Sequence, residues 1–504
     1  MMPEQLTIGE YLTERLYDLG VRHVFAVPGP FVGELIVRCD AAGLTVVRPI
    51  DGQSAGFMAD AYARMRGLGV AIGGYGVGAL QLVNPIAQAY AERSPVLVIG
   101  GAPGLAEPEL HPLLDGRHDA SPQRQVFAPL TAARAALDDP DVAFREIERV
   151  LAVMQRETHP GYLEIPRDVL DAAGHPGPAP RAAVTQSDPR ALEAALNDAT
   201  AMLDAAERPV MVLGVEVQRF GLQDPVLRLL ANAGIPAAVT LLGKSVIGEE
   251  VPGFLGVYAG AGSRPAVRDA VESSDAVLLI GARPTDLNPG GMVPRLDPVH
   301  SIDARGDRLA IGYHTYGKVR LADFITGLAA RDLRRREPMT PRDGEPTVDT
   351  LSDGPLTRDR LFARLASFLT DEMVVIADPG ESLFAAADLP IRLCSEFMSP
   401  ASYGARGFAI PASIGVQLAE PELRPIVLIE ASAFPMTGAE LATASALGLD
   451  PIVVVLHQPS EMHESLPADT IVRTSAELDV SLNEALDRSG SPYLLSVLLT
   501  ASES

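Results

Sequence analysis

The stretch that decides the fold is RPIVLIEASAFPMTGAELATASALGLDPIVVVLHQPSEMHESL, residues Arg424–Leu466. It begins with an apolar run, Pro425–Ile429, which predicts a strand, and continues with a helical pattern over about Thr437–Leu447. A second apolar run, Pro451–Leu456, predicts another strand. Continuously apolar strands joined by a helix are typical of a β-α-β unit in a parallel sheet that is buried on both faces.

The carboxyl ends of the strands are where such a sheet binds its ligands. The first predicted strand is followed by Glu430, Ala431 and Ser432. The second is followed by His457 and Gln458. The sequence therefore predicts that the chemistry takes place at these two strand ends.

Apolar runs and helical patterns also alternate before this stretch. Runs such as VRHVFAVPG, VAIGGYG and PVLVIGGAPG predict strands, and helical patterns lie between them. This alternation indicates doubly wound parallel sheets. Two Pro-rich polar linkers, Pro176–Arg190 and one ending near Pro355, separate three such blocks. The predicted fold is α/β, with three doubly wound parallel-sheet domains over residues 1–180, 191–330 and 350–504.

Composition limits the partners. The net charge of −24 opposes binding to nucleic acid or to an anionic membrane, because either needs a basic patch. No apolar run approaches the roughly 18 residues of a membrane span, and the first residues lack the pattern of a signal peptide. Cys39 and Cys394 are too far apart to indicate a disulfide framework or a metal motif. We expect a cytoplasmic protein that binds a small molecule.

The opening stretch, with SPASYGARGFAIPASIGVQLA before it, resembles the diphosphate-binding domain of enzymes that depend on thiamin diphosphate (ThDP). The resemblance extends along the chain through GYGVGALQLVNPIAQAYAERSPVLVIGGAP, HPGYLEIPRDV and YHTYGKVRLADFITGL. It is with the 2-oxo-acid decarboxylase branch, which includes pyruvate, indolepyruvate and phenylpyruvate decarboxylases. It implies the domain order pyrimidine-binding, central and diphosphate-binding. It also implies a homodimer or a dimer of dimers, because this family builds its site between chains.

The family's cofactor motifs are replaced at the expected positions. In the family the first strand of the opening stretch ends in Gly-Asp-Gly and the second in Asn-Asn, which hold the diphosphate and a hard cation such as Mg²⁺. Here the positions of Gly-Asp-Gly are occupied by Glu430, Ala431 and Ser432. The positions of Asn-Asn are occupied by His457 and Gln458. From this mismatch we expect that ThDP and Mg²⁺ are lost, so that the protein has no cofactor and no metal.

A third replacement concerns the family's glutamate that activates the cofactor. Alignment on FMADAYAR places Gly52 at that position. The nearest carboxylate is Asp51, which is either a displaced catalytic acid or the N-cap of the following helix.

The remaining candidates for acid–base chemistry are mostly histidines. His111 stands where the resemblance implies a His-His pair, and His118 follows seven residues later. His457, Glu461 and His463 come after the second strand of the opening stretch. Imidazoles and a carboxylate in one cleft are suited to general acid–base catalysis or to binding a transition metal. The alternative is that they are solvated loop residues, and the spacing of His457 and His463 is not one of the usual zinc motifs.

Three functions follow from these patterns. The first, which we prefer at this point, is an enzyme that uses the old decarboxylase cleft for cofactor-independent chemistry on a small metabolite resembling an oxo acid. The second is a non-catalytic binding or partner subunit. The third is an active ThDP-dependent carbon–carbon lyase.

Overall fold

The computed structural model describes residues 6–105, 107, 122–174, 186–283, 296–337, 353–392, 396–458 and 468–500. These residues form three sheets in which parallel strand pairs predominate, with helices beside them. The predicted α/β class with three doubly wound sheets is confirmed. No helix in the described part of the chain has the length and apolarity of a membrane span.

The chain divides into two compact units. The first unit comprises Met1–Ala183, Ala405–Val455 and Ala485–Leu494, and the second comprises Val184–Gly404, Leu456–Glu484 and Leu495–Ser504. The boundaries predicted for three domains stay a prediction.

The first sheet has the strand order β2-β1-β3-β4-β6-β5, and all its pairs are parallel. Its strands are β1 (His23–Val27), β2 (Thr45–Val47), β3 (Gly69–Gly73), β4 (Val96–Ala102), β5 (Ala133–Ala136) and β6 (Gly161–Pro166). The accompanying helices are α1 (Ile8–Asp18), α2 (Gly33–Ala41), α3 (Gly52–Arg66), α4 (Val77–Leu80), α5 (Val83–Ala91), α6 (Pro122–Phe127) and α7 (Ala143–Glu157). Helix α1 begins with a capping box, because Thr7 and Glu10 each accept the other's backbone N–H.

The second sheet has the order β13-β12-β11-β10-β7-β8-β9, in which β12 pairs antiparallel with both β11 and β13 and the other pairs are parallel. Its strands are β7 (Pro209–Leu213), β8 (Ala237–Val239), β9 (Phe254–Val257), β10 (Ala276–Ile280), β11 (Ser301–Arg305), β12 (Arg308–Ile311) and β13 (His314–Thr315). Its helices are α8 (Pro189–Ala205), α9 (Glu216–Arg219), α10 (Gln223–Ala233), α11 (Pro265–Glu272) and α12 (Leu321–Ala329).

The third sheet has the order β15-β14-β16-β17-β19-β18. Its strands are β14 (Met373–Ala377), β15 (Phe397–Met398), β16 (Arg424–Glu430), β17 (Ile452–His457), β18 (Thr470–Val472) and β19 (Tyr493–Leu498). Its helices are α13 (Arg358–Phe368), α14 (Glu381–Ala386), α15 (Ala409–Ala419), α16 (Phe434–Thr437), α17 (Leu441–Ala446) and α18 (Ser475–Asp487).

The opening stretch has its two predicted strands, β16 and β17, but its helix differs from the prediction. The single helix expected over about Thr437–Leu447 is two short helices, α16 and α17, separated by a 3₁₀ turn. The helix breaks at Thr437, whose φ is −140° and whose hydroxyl donates a 2.8 Å hydrogen bond to the Gly407 carbonyl. This bond to a neighbouring loop fixes the break, and sequence periodicity does not report it.

Helices α3 and α15 pack tightly against each other within the first unit. A Cβ on Gly415 would lie 2.3 Å from the Met58 carbonyl oxygen, so this position requires glycine. Helix α3 is buried on nearly every face, which explains its composition of small and apolar residues. The amino end of α3 is therefore held firmly, and that end carries Asp51 and Gly52.

Candidate functional site

An arginine spans the loop that follows β16. The Nη2 group of Arg406 donates to Glu430 Oε2 at 3.2 Å and to Ser432 Oγ at 2.6 Å. The Arg406 side chain is 45% exposed and that of Glu430 is 22% exposed, so solvent reaches the pair. Ala431, between the two partners, has no polar side-chain atom. The loop predicted to carry the site thus contains an ion pair between two side chains of the protein itself.

The residues at the end of β17 are engaged in a different way. His457 is only 2% exposed, and its Nε2 lies 3.3 Å from Ser496 Oγ on β19. The amide of Gln458 donates to Glu381 Oε2 at 2.7 Å, and Glu381 also pairs with Arg358. His457 is therefore a buried residue of the sheet, whereas Gln458 belongs to an exposed polar network.

The turn before α3 leaves no space for a side chain at Gly52. Its N–H donates to Gln81 Oε1 at 2.9 Å. An added Cβ would lie 2.7 Å from Gln81 Cβ and 2.9 Å from the Gly78 carbonyl oxygen. Asp51 is the N-cap of α3 and accepts the Ser54 N–H at 2.8 Å, as the cap interpretation predicts. A catalytic role for Asp51 stays a prediction.

A buried carboxylate that sequence reasoning missed lies beside this turn. Glu440 is 1% exposed and accepts the Ile50 N–H at 2.8 Å and the Thr443 hydroxyl at 2.7 Å. Burial raises its pKa, and the charge of Asp51 acts in the same direction, while the hydrogen bonds from Thr443, Ile50 and Ser54 oppose the shift. The available signal was an acid surrounded by small and apolar residues in GAELATASAL.

A second buried network supports the GYGVGAL turn. Gln123 accepts the Gly76 N–H at 2.8 Å, and its amide donates to the Tyr162 hydroxyl at 2.7 Å. Tyr162 in turn donates to Glu164 Oε2 at 2.9 Å. Burial and the nearby Glu164 charge hold the pKa of Tyr162 well above its ordinary value. This network fixes the backbone of the turn, and its sequence signal was a glutamate within the apolar strand β6.

Several predicted candidates lie outside the described residues. These are His111, His118, Glu461 and His463, so their predicted roles stay predictions. Cys394 is also outside the described residues, and Cys39 is a buried free thiol.

Family models match most of the chain. Residues 6–122 match the thiamine pyrophosphate enzyme, N-terminal TPP binding domain; residues 196–323 match its central domain; residues 378–462 match its C-terminal TPP binding domain. The chain is also 33% identical over 533 residues to indole-3-pyruvate decarboxylase of Azospirillum brasilense, which covers 98% of this chain and 95% of the relative. The chain belongs to the thiamine pyrophosphate enzyme family.

Other relatives of this thiamine pyrophosphate enzyme carry related names. The alpha-keto-acid decarboxylase of Mycobacterium avium (strain 104) is 33% identical over 466 residues, covering 90% of this chain and 81% of the relative. The alpha-keto-acid decarboxylase of Mycobacterium leprae (strain TN) is 32% identical over 460 residues, covering 90% of this chain and 80% of the relative. The predicted relationship to 2-oxo-acid decarboxylases is confirmed, and these relatives support an enzyme of the lyase type.

The expectation that the protein has no cofactor is wrong. Both TPP-binding domains of the family match this chain, and relatives at about 33% identity are decarboxylases of the same family. Thiamine pyrophosphate is the same compound as ThDP, so the family points to a ThDP-dependent enzyme. The expectation rested on the replaced metal motif together with Gly52 at the position of the activating glutamate, and these replacements were wrongly treated as evidence about the cofactor itself.

The residues after β16 nevertheless do not fit the family's divalent metal ion. Ala431 supplies no ligand atom, and Glu430 is already paired with the Arg406 guanidinium. Within the described ranges, no group of three or more His, Cys, Asp or Glu side chains is arranged to hold a metal. The predicted dimer, the cytoplasmic location and the absence of nucleic acid stay predictions.

Proposed function

We propose that this thiamine pyrophosphate enzyme is a lyase that removes CO₂ from a small 2-oxo acid of the arylpyruvate type. The observation that carries the proposal is the similarity to indole-3-pyruvate decarboxylase over 98% of this chain and 95% of the relative. Because the similarity extends over nearly the full length of both proteins, it supports the reaction class of the whole enzyme.

The two buried networks of the first unit give independent support. Glu440 and Glu164 are both nearly fully buried. Glu440 accepts the Ile50 N–H next to the turn before α3, and Glu164 is connected to the GYGVGAL turn through Tyr162 and Gln123. Buried carboxylates with perturbed proton affinity are common at functional sites, and the pKa of Glu440 is raised by burial.

One observation favours a second function, a non-catalytic binding or partner subunit. The position aligned with the family's activating glutamate is Gly52, and the contacts of its Cβ with Gln81 and Gly78 exclude a side chain there. A subunit that binds a 2-oxo acid without turning it over needs no acid at this position.

A decarboxylation assay separates the two functions. The full-length chain is incubated with ThDP and MgCl₂ and with indole-3-pyruvate, phenylpyruvate or pyruvate, and CO₂ release is measured. We expect release from at least one arylpyruvate. A higher unfolding temperature with a 2-oxo acid, but no CO₂, favours the binding subunit. A ligand present at 100 times its Kd stabilises by about 2.7 kcal/mol, so binding is readily detected. If neither CO₂ release nor stabilisation is observed, both functions are wrong.

A further inference from the structure

The loop that carries Arg406 has a glycine turn on each side of this residue. Gly404 and Gly407, on either side of Ala405 and Arg406, have left-handed φ angles of +74° and +81°. Gly407 is also fixed by the hydrogen bond that its carbonyl accepts from Thr437. The hydrogen bonds that Nη2 donates to Glu430 and Ser432 place the guanidinium at the carboxyl end of β16.

The guanidinium has donors to offer to a ligand. Arginine carries five N–H donors, and the two hydrogen bonds that it makes among the described residues both come from Nη2. The side chain is 45% exposed, so a ligand in solution can reach it. A guanidinium binds phosphate groups through two parallel hydrogen bonds, which is a geometry that suits a diphosphate.

Charge balance makes this arginine the natural partner for an anion. The chain carries a net charge of −24, so a diphosphate needs a local cation to bind. The residues of this loop do not fit a divalent metal, whereas Arg406 is a permanent cation at the same strand end. Its guanidinium stays charged at every accessible pH and is not removed by a chelator.

We propose that Arg406 replaces the divalent metal in this thiamine pyrophosphate enzyme and binds the diphosphate of its cofactor directly. This inference rests on the proposed function, which makes the chain a ThDP-dependent lyase. Glu430 aligns the guanidinium in the absence of ligand and competes with the diphosphate for it. Binding of ThDP is therefore independent of Mg²⁺, and replacement of Glu430 strengthens it.

The test is calorimetric titration of the full-length chain with ThDP, in EDTA and in MgCl₂. We expect the two Kd values to agree within about three-fold. Arg406→Gln is expected to raise the Kd by about ten-fold or more in EDTA, because a charge-assisted hydrogen bond is lost. Arg406→Lys keeps the positive charge but loses the paired N–H donors of the guanidinium, so its Kd is expected to lie between those of the wild type and Arg406→Gln. Glu430→Gln is expected to lower the Kd.

Arg48→Gln is the matched control, because Arg48 is an exposed arginine of the same unit in a weak ion pair with Asp40. It is expected to bind ThDP like the wild type. Binding that is lost in EDTA overturns the inference and leaves the proposed lyase intact. Equal Kd values for the wild type and Arg406→Gln also overturn it. An absence of ThDP binding under both conditions contradicts the inference and the proposed function together.

Discussion

Replacement of Gly52 by alanine tests how tightly the turn before α3 is closed. The added Cβ would lie 2.7 Å from Gln81 Cβ and 2.9 Å from the Gly78 carbonyl oxygen. Neither atom is the far end of a flexible side chain, so the backbone of the turn must move to relieve the contact. The matched control is Gly33→Ala. Gly33 is likewise the first residue of a helix, but its Cβ would have no neighbour within 4 Å.

The expected magnitude follows from two opposing effects. Overpacking of a well-filled site costs about 1–3 kcal/mol. Replacing glycine by alanine at a compatible position stabilises by about 0.4–1 kcal/mol, because the unfolded chain loses freedom. Gly52→Ala should therefore lower the free energy of unfolding by about 1–2 kcal/mol, whereas Gly33→Ala should leave it unchanged or raise it slightly.

The assay is urea denaturation followed by far-ultraviolet circular dichroism, since the chain has no tryptophan to report on unfolding. Both glycines lie in the first unit, so their variants are compared through the same transition. A lower midpoint for Gly52→Ala than for Gly33→Ala is expected. Equal midpoints would refute the reasoning and would mean that the turn has room for a larger residue at this position.

Three further substitutions test the same region. Asp51→Ala should cost about 1 kcal/mol in the free energy of unfolding, measured by urea denaturation, because α3 loses its N-cap. Asp60→Asn should cost about 3 kcal/mol in the same measurement, since it removes one carboxylate from the buried Arg64 guanidinium and leaves Glu92 alone to balance it; no measurable loss would contradict this. Glu440 holds its proton to higher pH in the folded state, so stability should fall as pH rises from its ordinary pKa to its raised one. The measurement is the unfolding temperature as a function of pH. Glu440→Gln should abolish the fall with rising pH, whereas the control Glu422→Gln, at an exposed position, should keep it.

The strands of this chain were predictable from sequence because burial on both faces leaves an uninterrupted apolar run. Strand β16 is one such run, and the structure extends the predicted Pro425–Ile429 by one residue at each end, to Arg424 and Glu430. The N-cap at Asp51 was predictable for a related reason, since a cap depends only on residues adjacent in sequence.

The contacts of the site were not predictable, because each joins residues that the fold brings together from separate segments. Arg406 meets Glu430 across 24 positions, and Ile50 meets Glu440 across 390. The crowding at Gly52 comes from Gln81 and Gly78, which a separate turn delivers. Sequence spacing indicates none of these pairs. The sequence therefore showed which family motifs are replaced, but not which residues contact the replacements.

The replacements at the end of β16 depend on each other physically. Glu430 without Arg406 would add a bare negative charge to a chain of net charge −24, and Arg406 without Glu430 would lose the acceptor that orients it. An aspartate at position 431 would lie next to Glu430 and within the field of the same guanidinium. This aspartate would pair with the guanidinium more readily than with a metal from solution. The guanidinium is already in place, whereas Mg²⁺ must first lose bound water. The missing family motif is therefore a different charge arrangement around one strand end, and its absence does not imply the absence of the cofactor.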